Sequence, residues 1–180
     1  DGDGDYWFVR GNTLFMILDV IDEAKWGEHE QFIADTCAAN PDVKWRIVCS
    51  HYSPYNSYQD YLENAKRIRP YLSFTSKYDI DLVMCGHDHS YMRSNFIQAD
   101  GSYKEYESPA VNPEGTMYLT LSSSSGSLFH NPTAQNEAAV AKKLKKPQVT
   151  DIQITDNSLK VKTYEAESWE VVDEFEIQKQ

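Results

Sequence analysis

Three histidines follow the ends of two short apolar segments, and their placement indicates a metal site. Gly86-His-Asp-His89 comes directly after the apolar run 81–85, and His51 comes one residue after a second such run, 45–49. Neutral imidazole is the commonest side-chain metal ligand, and loops at strand ends can hold side chains rigidly. We therefore predict that these histidines bind metal rather than fill a core.

The His-x-His spacing of His87 and His89 suits a pair of metal ions. Side chains two residues apart can each reach one ion of a pair separated by about 3.5–4 Å, and His51 from a neighbouring strand end can join one of these ions. Gly86 permits a sharp exit from the strand and close approach of the backbone. The three histidines together predict catalysis at a strand-end loop cluster.

The net charge of the chain limits the classes of partner that it can bind. The chain has 180 residues and a formal charge of −11. This charge argues against a nucleic-acid backbone or an anionic membrane as the main partner, and we expect no membrane span because no apolar run approaches about 20 residues. An acidic chain would also repel an anionic substrate unless bound cations reversed the local field. The three cysteines show no C-x-x-C spacing and do not fix the compartment.

Strands and helices that alternate along the chain predict an α/β fold in which helices cover a sheet. Parallel strands end at the same edge of a sheet, so the loops that carry the histidines should meet there. Periodicity predicts helices over 22–40 and from residue 60 onward, and strands over 6–10, 14–20, 45–49, 80–85, 116–121, 152–154, 159–163 and 171–177.

Other segments read as irregular or solvated. We predict a flexible acidic end over 1–5 and loops or insertions over 94–115 and 122–149, the latter with a basic helical patch at 138–146. His29 falls on the polar side of the first predicted helix, so we expect it to be solvated.

Two motifs resemble a known family. Gly86-His-Asp-His-Ser-Tyr-Met-Arg93 resembles the Gly-His-x-His-x-Tyr-x-Arg block of calcineurin-like metallophosphoesterases, in particular the purple-acid-phosphatase-like branch. His51-Tyr-Ser-Pro-Tyr-Asn-Ser-Tyr58 is similar to the metal histidine and the Pro- and Tyr-rich loop of that branch. Segments 11–19, 115–126 and 159–175 are similar to further family strands in the same order. The resemblance implies a layered α/β/β/α sandwich in the full domain, with mainly its C-terminal mixed sheet and flanking helices in this chain.

The resemblance implies a role for each histidine. His51 and His87 would bind one metal ion and His89 a second one, the two being iron, manganese or zinc. Such ions act as Lewis acids and as the source of a hydroxide that attacks a phosphomonoester or phosphodiester. The substrate contacts implied by the resemblance are Tyr55, Asn56 and Tyr58. The alternative for these tyrosines is aromatic packing beneath the loop.

Several family motifs are absent: an Asp-x-His, a metal-bridging Asp in a Gly-Asp segment, and an Asn-His-Glu. We therefore expect residues 1–180 to form the C-terminal half of one metallophosphoesterase domain. Three neutral ligands would leave two cations with strong mutual repulsion, so we expect the chain to be nearly inactive alone. Exposed apolar faces should favour self-association or binding of the N-terminal half. The resemblance leans toward a secreted or extracytoplasmic location.

Two other functions fit the residues. One is a self-contained hydrolase in which His51, His87 and His89 hold a single zinc ion with an open fourth position. The other is a non-enzymatic, aromatic-rich module that stacks on carbohydrate. Metal analysis distinguishes these hypotheses: two ions per chain once the missing ligands are supplied, one tight zinc ion, or none.

Overall fold

The computed structural model describes residues 4–55, 62–126, 128–133 and 135–180, with backbone alone at 62–64 and 71–74. The described residues form two helices and the strands of two sheets. The helices are α1 (His29–Ala39) and α2 (Leu62–Leu72), with 3₁₀ segments at Glu23–Glu28 and Ser73–Tyr78. The strands are β1 (Tyr6–Arg10), β2 (Thr13–Leu18), β3 (Trp45–Ser50), β4 (Leu82–Cys85), β5 (Tyr91–Ile97), β6 (Tyr103–Lys104), β7 (Ala110–Val111), β8 (Thr116–Thr120), β9 (Ala138–Lys142), β10 (Gln148–Ile154), β11 (Ser158–Glu165) and β12 (Val171–Gln178).

The first sheet positions the histidines. Its strand order is β1-β2-β3-β4-β8-β5-β6, with β9 also paired to β5. Strands β2, β3, β4 and β8 are parallel, so their carboxyl ends lie at one edge of the sheet. His51 follows β3 and the 86–89 loop follows β4, which places both loops at that edge.

One face of this sheet packs against the helices. Alternate residues of β2, including Leu14 and Met16, are fully buried on this face. They contact Ile33 of α1 and Ile68 of α2 within one apolar cluster. Apolar residues recur at helical spacing in α1 and α2 and form a continuous run over 14–18 in β2, so both elements can be predicted from the sequence.

The second sheet covers the opposite face and has the order β10-β11-β12-β7. Leu159 and Val161 of β11 are buried at alternate positions and share a cluster with Trp45, Ile47 and Leu82 of the first sheet. The predicted α/β fold class is confirmed, and the chain contains two sheets in the order helix, sheet, sheet. Among the described residues, we find no helix long and apolar enough to cross a membrane.

Two segments predicted as loops are strands. Strand β5 occupies 91–97 and is buried throughout, although its polar residues suggested a loop. Those polar groups are satisfied internally: the Ser94 hydroxyl donates to the Asn95 carbonyl and accepts from the Tyr118 amide at 2.8 Å. The predicted basic helix at 138–146 is wrong, because strand β9 pairs with β5 there. Tertiary pairing overrides the helix propensity of alanine and lysine at this position.

The prediction of a flexible 1–5 end and a solvated His29 is also wrong for the described residues. His29 is 1% exposed, and its Nδ1 lies 2.8 Å from Oδ2 of Asp5. The second carboxylate oxygen of Asp5 accepts from the Asp19 amide at 2.7 Å. Asp5 therefore joins the start of α1 to the end of β2, a contact between residues too distant in sequence for periodicity to reveal.

Candidate metal centre

His51 and His87 are in direct contact at the carboxyl edge of the first sheet. Nδ1 of His87 lies 3.1 Å from Nε2 of His51, and the ring centroids are 5.0 Å apart. In the neutral state one of these nitrogens carries the shared proton and the other presents a lone pair. The structure thus brings together two of the three histidines that the sequence singled out.

This spacing fits two ligands of one cation. Two nitrogens bound to a tetrahedral zinc ion at about 2.0–2.1 Å lie about 3.3 Å apart. The observed separation of 3.1 Å is close to this value, so the two nitrogens are near enough to share one cation. The two side chains therefore fit the metal ion that the sequence implied.

The loop after β4 holds its histidines in an unusual backbone conformation. His87 has φ 68° and His89 has φ 48°, both in the left-handed region. Such a conformation in a residue other than glycine costs about 1–3 kcal/mol and tends to occur at functional sites. The sharp exit expected at Gly86 is thus made by the histidines themselves. The Gly86 amide instead donates to the His51 carbonyl at 3.0 Å and ties the two loops together.

His89 is oriented by a backbone carbonyl. Its Nδ1 lies 3.0 Å from the Leu128 oxygen. A carbonyl oxygen can only accept, so Nδ1 carries the proton and the neutral ring presents its lone pair at Nε2. A hydrogen bond of this kind on the far nitrogen is the usual support for a metal-binding imidazole.

The three histidines line one open pocket of about 430 Å³. Ser122, Ser123 and Ser124, which follow β8, form another part of its wall. In the sequence these serines fall within segment 115–126, which resembles a strand of the family but does not by itself indicate a site. Because they come after β8, the fourth parallel strand of the same sheet, the strand-end rule applied to His51 and His89 could also have found them.

Charge in the pocket favours neutral imidazole. Burial lowers the pKa of His87, and positive charge on His51, His89 and His130 lowers it further. A neutral ring is the form that binds metal. His130 therefore lies close enough to His87 to interact with it electrostatically.

Tyr52 packs against both contacting histidines. Its ring centroid lies 4.6 Å from that of His87 and 5.2 Å from that of His51, both in tilted or edge geometry. The sequence singled out later residues of this loop and missed Tyr52. Aromatic contacts of this type limit rotation of the imidazole rings.

The predicted substrate contacts are placed less favourably. Tyr55 is 2% exposed, stacks edge-on against Tyr118 at 4.6 Å, and lies beneath the guanidinium of Arg69. This is the aromatic packing that the sequence left open as the alternative, and Tyr55 does not line the histidine pocket. Asn56 and Tyr58 lie outside the described residues.

The histidines do not complete a metal site by themselves. Within 4–55, 62–126, 128–133 and 135–180, no three His, Cys, Asp or Glu side chains converge in an arrangement ready to hold an ion. His51 and His87 supply two ligand atoms, and His89 stands nearby in the same pocket. Further ligands are needed for a closed coordination shell.

Two solved structures superpose on nearly the whole of this chain and share its fold. Purple acid phosphatase PPD1 from yellow lupin (Lupinus luteus) seeds superposes with a TM-score of 0.81 at 19% identity, over 99% of this chain and 33% of that chain. PhoD superposes with a TM-score of 0.60 at 12% identity, over 98% of this chain and 42% of that chain. The chain thus spans about a third of the length of the lupin protein. At these identities the two structures share the fold.

The family is shown by sequence. No curated protein matches the chain. The sequence profile of the calcineurin-like phosphoesterases matches residues 1–91, which is just over half of the 180 residues and includes all three predicted ligands. The chain belongs to the calcineurin-like phosphoesterase family.

Proposed function

We propose that this chain supplies part of the dinuclear metal centre of a phosphoester hydrolase. His51 and His87 hold one cation, and His89 holds the other. The observation that carries the proposal is the 3.1 Å contact between the ring nitrogens of His51 and His87, which matches two ligands of one ion. Membership of the calcineurin-like phosphoesterase family supports the reaction class.

The residues around the pocket suit this role. When bound, the ions supply Lewis acidity and a hydroxide at neutral pH. The Leu128 carbonyl fixes the tautomer of His89, and Tyr52 limits rotation of His51 and His87. The small side chains of Ser122, Ser123 and Ser124 leave room for a phosphoester beside the histidines. Two cations also offset the repulsion between an anionic substrate and a chain of net charge −11.

The centre requires anionic ligands in addition to the histidines. Two divalent cations held by three neutral rings repel each other strongly. We propose that carboxylates from a further segment, of the type that carries the family's Asp-x-His and Asn-His-Glu motifs, complete the site. The chain without that segment should then have little activity. Substrate contacts at Asn56 and Tyr58 remain part of the proposal, whereas the buried position of Tyr55 gives it no support.

Hydrolysis of a chromogenic phosphomonoester and phosphodiester tests the proposal. We expect turnover only when the chain is combined with a polypeptide carrying the missing motifs and with manganese, zinc or iron. His87→Ala should abolish this turnover and leave the circular-dichroism spectrum unchanged. Full turnover by His87→Ala would contradict the assignment. One tight zinc ion per chain, with turnover by the chain alone, would instead support the mononuclear alternative.

A further inference from the structure

The second sheet has a free edge at strand β10. In the order β10-β11-β12-β7, β10 is the outermost strand, and none of the described strands pairs with its outer side. Strand β10 has seven residues, whereas β7 at the other end of this sheet has only two. An unpaired strand edge of this length presents a row of backbone groups that can pair with another strand.

The pairing with β11 determines which backbone groups of β10 point outward. Thr155 and Ser158 form a hydrogen-bonded pair, because the Thr155 amide donates to the Ser158 carbonyl at 2.8 Å. Such pairs alternate along an antiparallel ladder with non-hydrogen-bonded pairs. The N–H and C=O groups of Thr150, Ile152 and Ile154 therefore point away from β11, toward the free edge.

Strand β10 runs away from the histidine pocket. At its start, the Gln148 amide donates to the carbonyl of Ser123 at 3.1 Å, and Ser123 lines the histidine pocket. Just after its end, the Asp156 carboxylate accepts from the Asn12 side chain at 3.0 Å, and Asn12 immediately precedes β2 at the opposite edge of the first sheet. A strand added antiparallel to β10 therefore runs toward the histidine pocket and ends there.

Apolar side chains of the first sheet extend beyond β10 and are left uncovered. Phe8 of β1 stacks on Phe15 of β2 with ring centroids 5.0 Å apart, and Phe8 is 44% exposed. Phe15 packs against the apolar cluster between the two sheets, so both rings lie on the face that the second sheet covers elsewhere. A cleft of about 570 Å³ is lined by Phe15 on one side and by Ile152 and Ile154 on the other. A further strand beside β10 would fill this cleft and cover both rings.

We propose that the free edge of β10 binds an apolar β-strand of the polypeptide segment that supplies the missing carboxylate ligands. The inference rests on the proposed function, which requires such a segment. The length of the solved relatives supports it, because this chain covers only 33% of the lupin protein and 42% of PhoD. The bound strand lies antiparallel to β10, and one of its faces covers Phe8 and Phe15. The residues that directly follow it then reach the pocket, as His51 does after β3.

Hydrogen exchange of the full chain in the absence of metal tests this docking surface separately from turnover. The probe is a polypeptide that carries the family's Asp-x-His and Asn-His-Glu motifs. We expect the amides of Thr150, Ile152 and Ile154 to exchange at least about tenfold more slowly when this polypeptide is bound, because each amide is then paired in a sheet.

Two substitutions should weaken the complex. Ile152→Pro removes an outward N–H that β11 does not use, and Phe8→Ser removes an apolar ring that the added strand covers. We expect each to raise the dissociation constant, measured by calorimetry, about tenfold or more. Val149→Ser is the matched control in the same strand, because the Val149 side chain lies on the opposite face of the sheet. Its dissociation constant should stay within about twofold of that of the unsubstituted chain.

A nitroxide label on the added polypeptide tests the direction of the strand. With the label on the residue that follows the strand, the antiparallel arrangement predicts stronger broadening of the amide resonance of Gln148 than of Ile154. The opposite order would contradict the proposed direction and with it the inference.

The remaining contrary results are distinct from one another. If the polypeptide leaves exchange of the three amides unchanged, or if Ile152→Pro and Phe8→Ser bind it as tightly as Val149→Ser, the inference is wrong. If the chain alone gains the same protection as its concentration rises, the edge pairs with a second copy and the inference is also wrong. A protected complex that shows no turnover with metal would support the docking surface and contradict the proposed hydrolase.

Discussion

Nε2 of His51 and Nδ1 of His87 face each other at 3.1 Å across two loops that follow neighbouring parallel strands. The loops are also joined through the backbone, because the Gly86 amide donates to the His51 carbonyl. The pair is therefore held in place before any metal binds. A preformed pair of this kind reduces the ordering cost of metal binding.

Loss of either ring should weaken metal binding sharply. We expect His51→Ala to lower zinc affinity by at least about 10–100-fold, since even changes to residues that only support a ligand have effects of this size. Equilibrium dialysis with a zinc indicator measures the change. His29→Asn is the control, because His29 pairs with Asp5 and does not line the pocket. Equal zinc affinities in His51→Ala and the unsubstituted chain would show that the pair is not a metal site.

Much of this site can be predicted from the sequence, because each of the three histidines closely follows an apolar strand and strand ends can be recognised locally. A histidine directly after an apolar strand lies at the carboxyl edge of a parallel sheet, and this applies to His51, His87 and His89 alike. His130 follows no strand directly, and its contact with His89 depends on the path of the loop after β8. That path cannot be read from periodicity.

In the fold, too, elements with a clear local pattern can be predicted, whereas features that depend on contacts between distant segments cannot. Strands β3, β8 and β11 were predicted within a few residues because their apolar residues are continuous or alternate. Strand β9 was missed because Ala138–Lys142 has a helical composition and becomes a strand only by pairing with β5. Burial of Asp5 with His29 was missed for a similar reason: the partners come from different elements.

The three cysteines should react slowly in the folded chain. Burial raises the pKa of Cys49 to about 11 and that of Cys85 to about 12, and it also raises the pKa of Cys37. At pH 8 only about 0.1% of a thiol with a pKa near 11 is the reactive thiolate. We expect slow labelling by a disulfide reagent at pH 8 and rapid labelling of all three thiols in denaturant.

The same pKa shifts fix the direction of a pH effect on stability. Between pH 9 and 11 the unfolded chain releases thiol protons that the folded chain retains, so the free energy of unfolding should fall as pH rises through this range. Urea denaturation at several pH values between 9 and 11 measures this fall in the free energy of unfolding. Rapid labelling of the folded chain at pH 8 would contradict the buried placement of the thiols.

A buried ion pair joins β5, the strand that follows the 86–89 loop, to β12 of the second sheet. Nε of Arg93 in β5 donates to Asp173 of β12 at 2.7 Å, and the two side chains are only 9% and 10% exposed. The Tyr91 hydroxyl donates to the same carboxylate. Asp173→Ala leaves the guanidinium buried without its counter-ion, so we expect a loss of about 3–5 kcal/mol in the free energy of unfolding by urea.

The neighbouring residue provides a matched control for this measurement. Glu174 lies next in β12 and pairs with Lys160 and Lys162 on the outer face of the sheet. Such surface pairs contribute about 0–1 kcal/mol, so Glu174→Ala should have a small effect. Similar losses in the two variants would mean that the Arg93–Asp173 pair is no more important than a surface contact.

Strand β1 is an exposed apolar edge. Tyr6, Trp7, Phe8 and Val9 are 56%, 44%, 44% and 42% exposed, and no described strand pairs with its outer side. Edges of this kind promote pairing between chains. We expect concentration-dependent self-association in analytical ultracentrifugation, and Trp7→Lys should reduce it. Trp169→Lys changes a more exposed tryptophan, 64% exposed, away from the edge and should leave association unchanged. A chain that stays monomeric at high concentration would rule out this role for β1.

The position of a bound cation tests the central claim most directly. Anomalous diffraction from crystals of the chain grown with zinc should show an ion about 2.0–2.1 Å from both Nε2 of His51 and Nδ1 of His87. Zinc bound elsewhere, or these two nitrogens still hydrogen-bonded to each other at saturating zinc, would contradict it.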